Sequence, residues 1–355
     1  MKVLHYVDEK NLAWGETWIQ LLKELAANGI ENHVVCGGWG TLTQRLRDAD
    51  IPFDTCRPIT QILPITNLKL GTIINKITPD IIHTRLSSAA RIGGWWGKRK
   101  KIPVLQTIDK FPKLKYHVDG TFFAACSSSV KDYFLNIGGC ANKVTVIHNP
   151  IDTSMYSCDS VVRRETRSSL FVSDDIKIVL AAGRFVEWKG FDVLIKSYEN
   201  LLGGGHGANS MLWIVGDGEE KNILKKMVSD SPFKEKIKIF PFASDIKPYM
   251  CAADLFVLPS KEPEPFGIVL LEAMASSLPV IATKVGGPLD ILSEGSGWLV
   301  APNDVNSLSS CMAAALSNSL SLAETGRKAR KRAEYFSLGR IAAETICVYQ
   351  KMIQR

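Results

Sequence analysis

The sequence predicts an α/β protein made of two doubly wound, Rossmann-like domains with parallel sheets. Short runs rich in β-branched residues alternate with amphipathic segments from the first residue onward, which favours parallel strands joined by helices. This alternation pauses after residue 152 and restarts at residue 176. At 355 residues the chain is longer than one hydrophobic core usually supports, so two domains are expected.

The first domain is predicted over residues 1–152. Its strands are expected at residues 2–7, 33–36, 80–84, 104–108, 122–125 and 144–147. One helix between them carries apolar residues at the spacing of a core-facing stripe, namely Trp18, Leu21, Leu22, Leu25 and Ala26. Asn28-Gly29 is typical of the C-terminal cap of that helix.

Residues 153–175 are predicted to be a linker, because they are rich in Ser, Arg and Asp and lack apolar periodicity. The second domain is predicted over residues 176–336, with strands at 177–182, 212–215, 238–242, 255–258, 280–283 and 298–300. A last helix, residues 337–355, is expected to pack back on the first domain. Ligands of open α/β sheets bind beyond the carboxyl ends of the strands, so we expect the site in a cleft between the domains.

Composition narrows the possible functions. The eight cysteines are scattered without a CxxC pair, and no secretory leader precedes the first strand, which predicts a reducing, cytoplasmic chain. The longest apolar runs are strand-sized, far short of a membrane span. No HxxxH or HxH spacing occurs, and Gly37-Gly38-Trp39-Gly40 is not a dinucleotide fingerprint, so neither a metal site nor a nicotinamide cofactor is expected.

Charge is distributed unevenly along the chain. Residues 1–150 carry 19 Lys and Arg against 12 Asp and Glu, and they account for the whole net charge of +7. A basic half suits an anionic partner, such as a phosphorylated glycan, an acidic lipid surface or a nucleic acid. A solvated charged face is the alternative interpretation.

Paired tryptophans and a run of cations stand together in this basic half, at Trp95, Trp96, Lys98, Arg99, Lys100 and Lys101. An anionic membrane interface attracts such a combination, at about 1 kcal/mol for each basic residue near the surface. Alternatively, the tryptophans pack in the core and the cations lie at a helix C-terminus, where they interact favourably with its dipole. The sequence leaves both possibilities open.

Two carboxylates, Glu264 and Glu272, flank a predicted helix start that is suited to an anion. Pro265 ends an extended approach, and Gly267 lets the backbone come close to a ligand. Free first-turn amides around residues 266–268 attract phosphate. The carboxylates lie about two helical turns apart at most, enough to hold hydroxyls at opposite ends of an elongated ligand. The pattern points to a sugar-nucleotide site.

A second motif follows the strand at residues 177–182. Arg184 and Lys189 lie five residues apart in the loop Gly183-Arg184-Phe185-Val186-Glu187-Trp188-Lys189-Gly190. Two cations there can clamp a diphosphate and stabilise the charge that grows on a leaving group. Cations in such loops are also often merely solvated, which is the alternative for either residue alone.

These motifs occur in order and at the spacing of βα units, and Pro279-Val280-Ile281-Ala282-Thr283 and Gly286-Gly287 follow them. In this combination the chain resembles glycosyltransferase family 4, which has the GT-B fold, and in particular bacterial glycosyltransferases of lipopolysaccharide and other surface glycans. The resemblance implies a retaining, metal-independent transfer of a hexose or N-acetylhexosamine from a nucleotide sugar, expected to be UDP-linked. It further implies a lipid-linked or lipopolysaccharide-type glycan acceptor and no cofactor.

The resemblance also implies roles for individual residues. Arg184 and Lys189 would hold the diphosphate, Glu264 the donor sugar and Glu272 the ribose hydroxyls. The remaining donor-binding residues would be Gly15, Gly183, Phe242, Phe266, Gly267 and Ile268.

One catalytic position of the first domain departs from the family pattern. The histidine usual after the strand at 104–108 is replaced by Asp109. Asp109 could take over its polar contact, or His117 could reach in from the following loop, and the sequence does not choose between them.

Two other functions remain open. The chain could be a GT-B epimerase or hydrolase that needs no acceptor. It could also be a non-catalytic module that binds an anionic surface through its basic half, which would explain residues 98–101 but not residues 263–272. We expect a cytoplasmic protein, at the inner face of the membrane, with no nucleic-acid partner.

Overall fold

The computed structural model describes residues 1–12, 14–58, 60, 64–293 and 295–354. The chain divides into two compact units. The first comprises Met1–Asp152 with Phe336–Arg355, and the second comprises Thr153–Tyr335.

The first unit contains a seven-stranded parallel sheet. Its strands are β1 (Lys2–Val7), β2 (Glu31–Cys36), β3 (Phe53–Thr55), β4 (Ile81–Arg85), β5 (Val104–Ile108), β6 (Phe122–Ala125) and β7 (Val144–Val146), in the order β3-β2-β1-β4-β5-β6-β7. The helices are α1 (Gly15–Ala27), α2 (Thr41–Asp48), α3 (Leu68–Ile77), α4 (Ser87–Lys100) and α5 (Ser128–Asn136). The order is doubly wound and reverses between β1 and β4.

The second unit repeats this plan with six parallel strands. They are β8 (Lys177–Ala182), β9 (Ser210–Val215), β10 (Ile237–Phe240), β11 (Leu255–Leu258), β12 (Val280–Thr283) and β13 (Trp298–Val300), in the order β10-β9-β8-β11-β12-β13. The helices are α6 (Ser160–Ser169), α7 (Phe191–Gly203), α8 (Lys221–Asp230), α9 (Lys247–Ala252), α10 (Ile268–Ala275), α11 (Pro288–Ile291), α12 (Val305–Ser317) and α13 (Ser319–Glu334). Here the order reverses between β8 and β11.

The central strands of both sheets are buried on both faces. β8, β11 and β12 are apolar almost throughout, as expected where helices cover a parallel sheet on two sides. This pattern is why the sequence shows these strands as short continuous apolar runs. The three-residue edge strand β3 has no such run and was not predicted.

Residues 153–175 belong to the second unit and include α6, although the sequence predicts a linker here. Arg163 donates to the carbonyl oxygens of Cys251, Ala252 and Ala253 at the end of α9, at 3.1, 3.0 and 2.8 Å. Its Nη2 also lies 2.9 Å from Asp254 Oδ1. Because α6 docks through arginine, its sequence lacks the apolar stripe that would have predicted a helix.

Cys158, just before α6, forms a disulfide with Cys251 of α9. The sequence predicts a chain in a reducing environment, with its cysteines as free thiols. This prediction is wrong for Cys158 and Cys251. The two cysteines are 93 residues apart in the sequence, and the docking of α6 on α9 brings their Cα atoms to 5.2 Å.

The last helix, α14 (Leu338–Ile353), lies in the first unit and packs against α1. Its Tyr349 is fully buried, and the Tyr349 hydroxyl lies 2.6 Å from Nδ1 of His83. Burial lowers the pKa of His83 well below its usual value. This fits a histidine that packs in the core rather than one that coordinates a metal. None of the described helices is both long and apolar enough to cross a membrane.

Candidate active site

The loops that follow β8 and β11 lie next to each other, because the strand order of the second sheet reverses between these two strands. In doubly wound sheets this crevice, at the carboxyl ends of the strands, is where ligands bind. The first loop contributes Gly183 and Lys189, and the second contributes Ser260 and Glu264. These four residues form one cluster of candidate site residues, and all of them belong to the second unit.

Lys189 and Glu264 form a close ion pair in this crevice. Lys189 Nζ lies 2.5 Å from Glu264 Oε2, and the Ser260 hydroxyl donates to the same oxygen at 3.2 Å. The lysine and glutamate side chains are only 11% and 8% exposed. Because little solvent screens the pair, it presents a fixed cation and a fixed carboxylate to a ligand.

The backbone around Glu264 is held by two glycines. The N–H of Gly287 donates to the Glu264 carbonyl at 2.7 Å, and a Cβ on Gly286 would lie 2.1 Å from that carbonyl oxygen. Helix α10 then begins after Gly267, whose φ of +105° favours glycine. No side chain among the described residues caps α10. The Leu270 N–H already donates to the Gly267 carbonyl at 3.0 Å, so the first-turn amides suited to an anion are those of Ile268 and Val269.

Glu272, the fifth residue of α10, is the second carboxylate of the motif. The Tyr156 hydroxyl donates to Glu272 Oε1 at 2.7 Å. Burial raises the pKa of Glu272 to about 7, the hydrogen bond from Tyr156 opposes this increase, and the nearby charge of Asp245 adds to it. Sequence reasoning missed Tyr156, because it lies in the segment interpreted as a linker.

Arg184 is placed differently from Lys189. Its side chain is 70% exposed, and Nη2 lies 2.5 Å from Glu219 Oε1. Gly183 is close to Lys189 instead, since a Cβ on Gly183 would lie 4.0 Å from Lys189 Cε.

Phe242, which follows β10, is 68% exposed and offers an aromatic face. Phe266 is buried and supports the start of α10.

A second polar cluster lies at the carboxyl edge of the first sheet. Asp8 follows β1, Arg85 ends β4 and Asp109 follows β5, and these three strands are adjacent. Arg85 Nη1 lies 3.0 Å from Asp109 Oδ1, and the two side chains are 10% and 13% exposed. The Trp14 ring covers the Arg85 guanidinium, with 5.2 Å between Cζ and the ring centroid. Sequence reasoning found Asp109 but missed Asp8 and Arg85, although each directly ends or follows a strand.

Several buried atoms of this cluster lack partners. Among the described residues, none hydrogen-bonds to Asp8 Oδ1, Arg85 Nε or Asp109 Oδ2. Burial raises the pKa of both carboxyl groups, and Arg85 opposes the increase at Asp109. Buried polar atoms are almost always satisfied, so two acceptors and one donor left open at a sheet edge suit the hydroxyls of a ligand.

His117 and Asp109, the two residues that could replace the histidine usual in the family, lie in different surroundings. His117 is buried, its Nδ1 lies 3.0 Å from Gln106 Oε1, and burial lowers its pKa to about 4. It is a core residue, whereas Asp109 lies at the sheet edge.

Gly15 begins α1, and a Cβ there would lie 2.7 Å from Arg45 Nη1, so the close approach at this glycine is to the chain's own arginine.

The tryptophans of the basic run are not a matched surface pair. Trp96 is buried and packs on Gly71, where a Cβ would lie 2.3 Å from the indole, so its prediction as a membrane contact is wrong. Trp95 is half-buried beneath Arg99, 5.6 Å from Cζ to the ring centroid. Lys98, Lys100 and Lys101 are exposed at the end of α4.

No group of three or more His, Cys, Asp or Glu among the described residues is arranged to hold a metal ion. The charged centres of the two clusters are instead Lys189 with Glu264 and Arg85 with Asp109.

The fold and the two domains are similar to those of known glycosyltransferases. The structure of Anabaena HepE in complex with UDP and glucose matches with a TM-score of 0.86 at 20% sequence identity, covering 99% of this chain and 100% of that one. The fold is thus that of the two-domain GT-B glycosyltransferases. A model described as glycosyl transferases group 1 matches residues 162–332, and one described as Glycosyltransferase Family 4 matches residues 15–155. The chain is thus a member of the glycosyltransferases, with a family 4 domain over residues 15–155 and a group 1 domain over residues 162–332.

The chain is also similar to two curated glycosyltransferases over most of the length of each. The lipopolysaccharide core biosynthesis glycosyltransferase LpsE of Rhizobium meliloti is 26% identical over 84% of each chain. A UDP-Gal:alpha-D-GlcNAc-diphosphoundecaprenol alpha-1,3-galactosyltransferase of Escherichia coli is 24% identical over 78% of this chain and 77% of the relative. The chain is similar to both, and it is a glycosyltransferase by its family.

Proposed function

We propose that this glycosyltransferase transfers a hexose or N-acetylhexosamine from a UDP-sugar to a lipid-linked or lipopolysaccharide-type glycan, with retention and without a metal ion. The observation that carries the proposal is the buried Lys189–Glu264 pair, set ahead of Glu272 across the uncapped start of α10. It places a cation, an anion-binding helix end and two carboxylates in one crevice. Those are the groups that a nucleotide sugar requires.

Each group has a role in the proposed reaction. Lys189 and the amides that begin α10 bind the diphosphate, Glu264 accepts from hydroxyls of the donor sugar, and Glu272 accepts from the ribose. The bond between sugar C1 and the diphosphate oxygen breaks, and a bond from C1 to the acceptor oxygen forms on the same face. The acceptor proton passes to the departing diphosphate. Lys189, with Arg184 as the second cation, stabilises the charge that grows on this leaving group.

The names and ligands of similar proteins support the proposed donor and acceptor. A UDP donor is supported by UDP in the complex of HepE and in the name of the Escherichia coli relative. A glycan acceptor is supported by the names of both curated relatives. Metal independence is supported by cations of the chain itself, which supply charge that a metal would otherwise bring to a diphosphate.

We assign the cluster of Asp8, Arg85 and Asp109 to contacts with sugar hydroxyls, because its open buried atoms are of the right kind. The exposed Lys98, Lys100 and Lys101 are suited to an anionic surface at the cytoplasmic face of the membrane. An acidic surface of this kind is where a lipid-linked acceptor would be found.

A donor screen tests the proposal directly. Purified protein is mixed with UDP-, GDP- and ADP-sugars, and the thermal shift and the release of nucleotide are recorded. A donor at 100 times its dissociation constant stabilises by about 2.7 kcal/mol. We expect a selective shift with one UDP-sugar, lost in Lys189→Met and kept in Lys196→Ala, which removes an exposed lysine of α7. Product formation that needs no acceptor would favour the epimerase or hydrolase, and no shift with any donor would contradict the proposal.

The raised pKa of Glu272 predicts that donor affinity depends on pH. With a pKa raised to about 7, its acceptor-only carboxylate form dominates above pH 7 and is lost as pH falls below it. We expect the Kd of a UDP-sugar, measured by calorimetry, to increase several-fold between pH 8 and pH 6. A UDP-sugar is preferable to UDP, whose terminal phosphate has its own pKa near 6. Glu272→Gln should bind more weakly at pH 8 and show no such change; an unchanged pH dependence in this variant would contradict the assignment.

A further inference from the structure

Tyr156 is the last residue of a short 3-10 turn, Thr153–Tyr156, that packs on α10. Its hydroxyl donates to Glu272 Oε1 at 2.7 Å. Residues 156–161 lie between the segments matched by the two family models. Neither family model therefore covers Tyr156.

The segment that follows Tyr156 is held firmly on α9. Two residues after the tyrosine, Cys158 is joined to Cys251 of α9. Helix α6 follows at once, and its Arg163 donates to three carbonyl groups at the end of α9. The Arg167 side chain is almost completely buried and donates to the Ala252 carbonyl at 2.8 Å. Covalent and ionic ties thus fix the backbone from which the tyrosine reaches Glu272.

We propose that Tyr156 is a positioning residue for the donor, holding the Glu272 carboxylate in the orientation and ionised form that accept from the ribose hydroxyls. This inference rests on the assignment of Glu272 to the ribose in the proposed function. A hydrogen bond from a phenol to a carboxylate stabilises the charged form of the acid. It also uses one direction on Oε1, which leaves the second oxygen to the ligand.

The charged surroundings make this hydrogen bond important. Asp245, in the segment before α9, disfavours a negative charge on Glu272, and burial acts in the same direction. The Arg330 guanidinium of α13 donates to the Ala275 carbonyl at the end of α10, so this cation is held by the backbone there. The hydrogen bond from Tyr156 opposes both effects, although the pKa of Glu272 still rises to about 7. Without it, a larger fraction of Glu272 would be protonated at neutral pH.

Tyr156→Phe removes the hydroxyl and keeps the ring, so it tests the proposal with little change in packing. We expect KM for the UDP-sugar to increase about tenfold at pH 7 while kcat changes little, the size typical of a hydrogen bond to a charged group. The midpoint of the KM profile should also move to higher pH, which a merely structural role would not produce. Tyr249→Phe is the matched control, because Tyr249 packs by its ring against Trp213 and Phe240.

A double-mutant cycle separates the possible outcomes. If Tyr156 acts through Glu272, Tyr156→Phe should have no further effect on UDP-sugar affinity in the Glu272→Gln background. A normal KM and pH profile in folded Tyr156→Phe, with Glu272→Gln still defective, would overturn this inference alone. Normal donor affinity in Glu272→Gln would overturn the ribose assignment on which it rests. Equal losses from Tyr156→Phe in both backgrounds would show a role independent of Glu272.

Discussion

Replacing Lys189 with methionine is expected to lower kcat for transfer by about 10²- to 10³-fold, the loss typical of one fixed group that stabilises a developing charge. Lys189 is 11% exposed and held at 2.5 Å from Glu264, so it is fixed before the donor arrives. A fixed cation costs no reorganisation when the diphosphate leaves. Arg184, which is 70% exposed and paired with Glu219, should matter less, and Arg184→Met is the matched comparison.

The same variant should also be less stable, which the experiment must separate from catalysis. Without Lys189, the nearly buried Glu264 loses its ionic partner, and breaking one side of such a pair costs about 3–5 kcal/mol. Lys189→Met combined with Glu264→Gln removes both charges and should recover much of the stability but none of the activity. Circular dichroism melting and turnover below the lowest Tm are measured together. Turnover like the wild type in folded Lys189→Met would refute the role of Lys189.

The positions of most strands could be predicted because buried parallel strands appear in the sequence as short apolar runs. β1, β5, β6, β8, β11, β12 and β13 have the predicted bounds. Helix α6 could not be predicted because arginine contacts to backbone carbonyls, rather than an apolar stripe, hold it in place. The disulfide of Cys158 depends on the same docking and escaped prediction for the same reason.

Candidate residues were easier to locate than their partners. Gly267 and the residues around it indicate Glu264 and Glu272 in the sequence, because a helix start has a local pattern. The pairing of Lys189 with Glu264, 75 residues away, depends on the order of the strands and has no local pattern. Arg85 was overlooked for a related reason, since a cation at the end of a strand gains its meaning only from the neighbouring strand that carries Asp109.

Arg85→Met is expected to lower the free energy of unfolding by about 3–5 kcal/mol, because it leaves Asp109 nearly buried without its cation. Urea denaturation measures this loss. Lys98→Ala is the matched control, since it breaks the pair with Asp119 on a side chain that is 75% exposed, and such pairs are worth about 0–1 kcal/mol. A loss of less than 1 kcal/mol in Arg85→Met would show that the pair is solvated.

The double variant Arg85→Met with Asp109→Asn then distinguishes a structural pair from a site. Removing both charges should recover most of the stability, because neither group is left as an uncompensated charge. It also removes the open Nε and one carboxylate oxygen that we assign to sugar hydroxyls. We therefore expect kcat/KM to remain at least tenfold below the wild type in a stably folded protein. Recovery of both stability and kcat/KM would mean that the pair only supports the sheet edge, and that Asp109 does not replace the family's histidine.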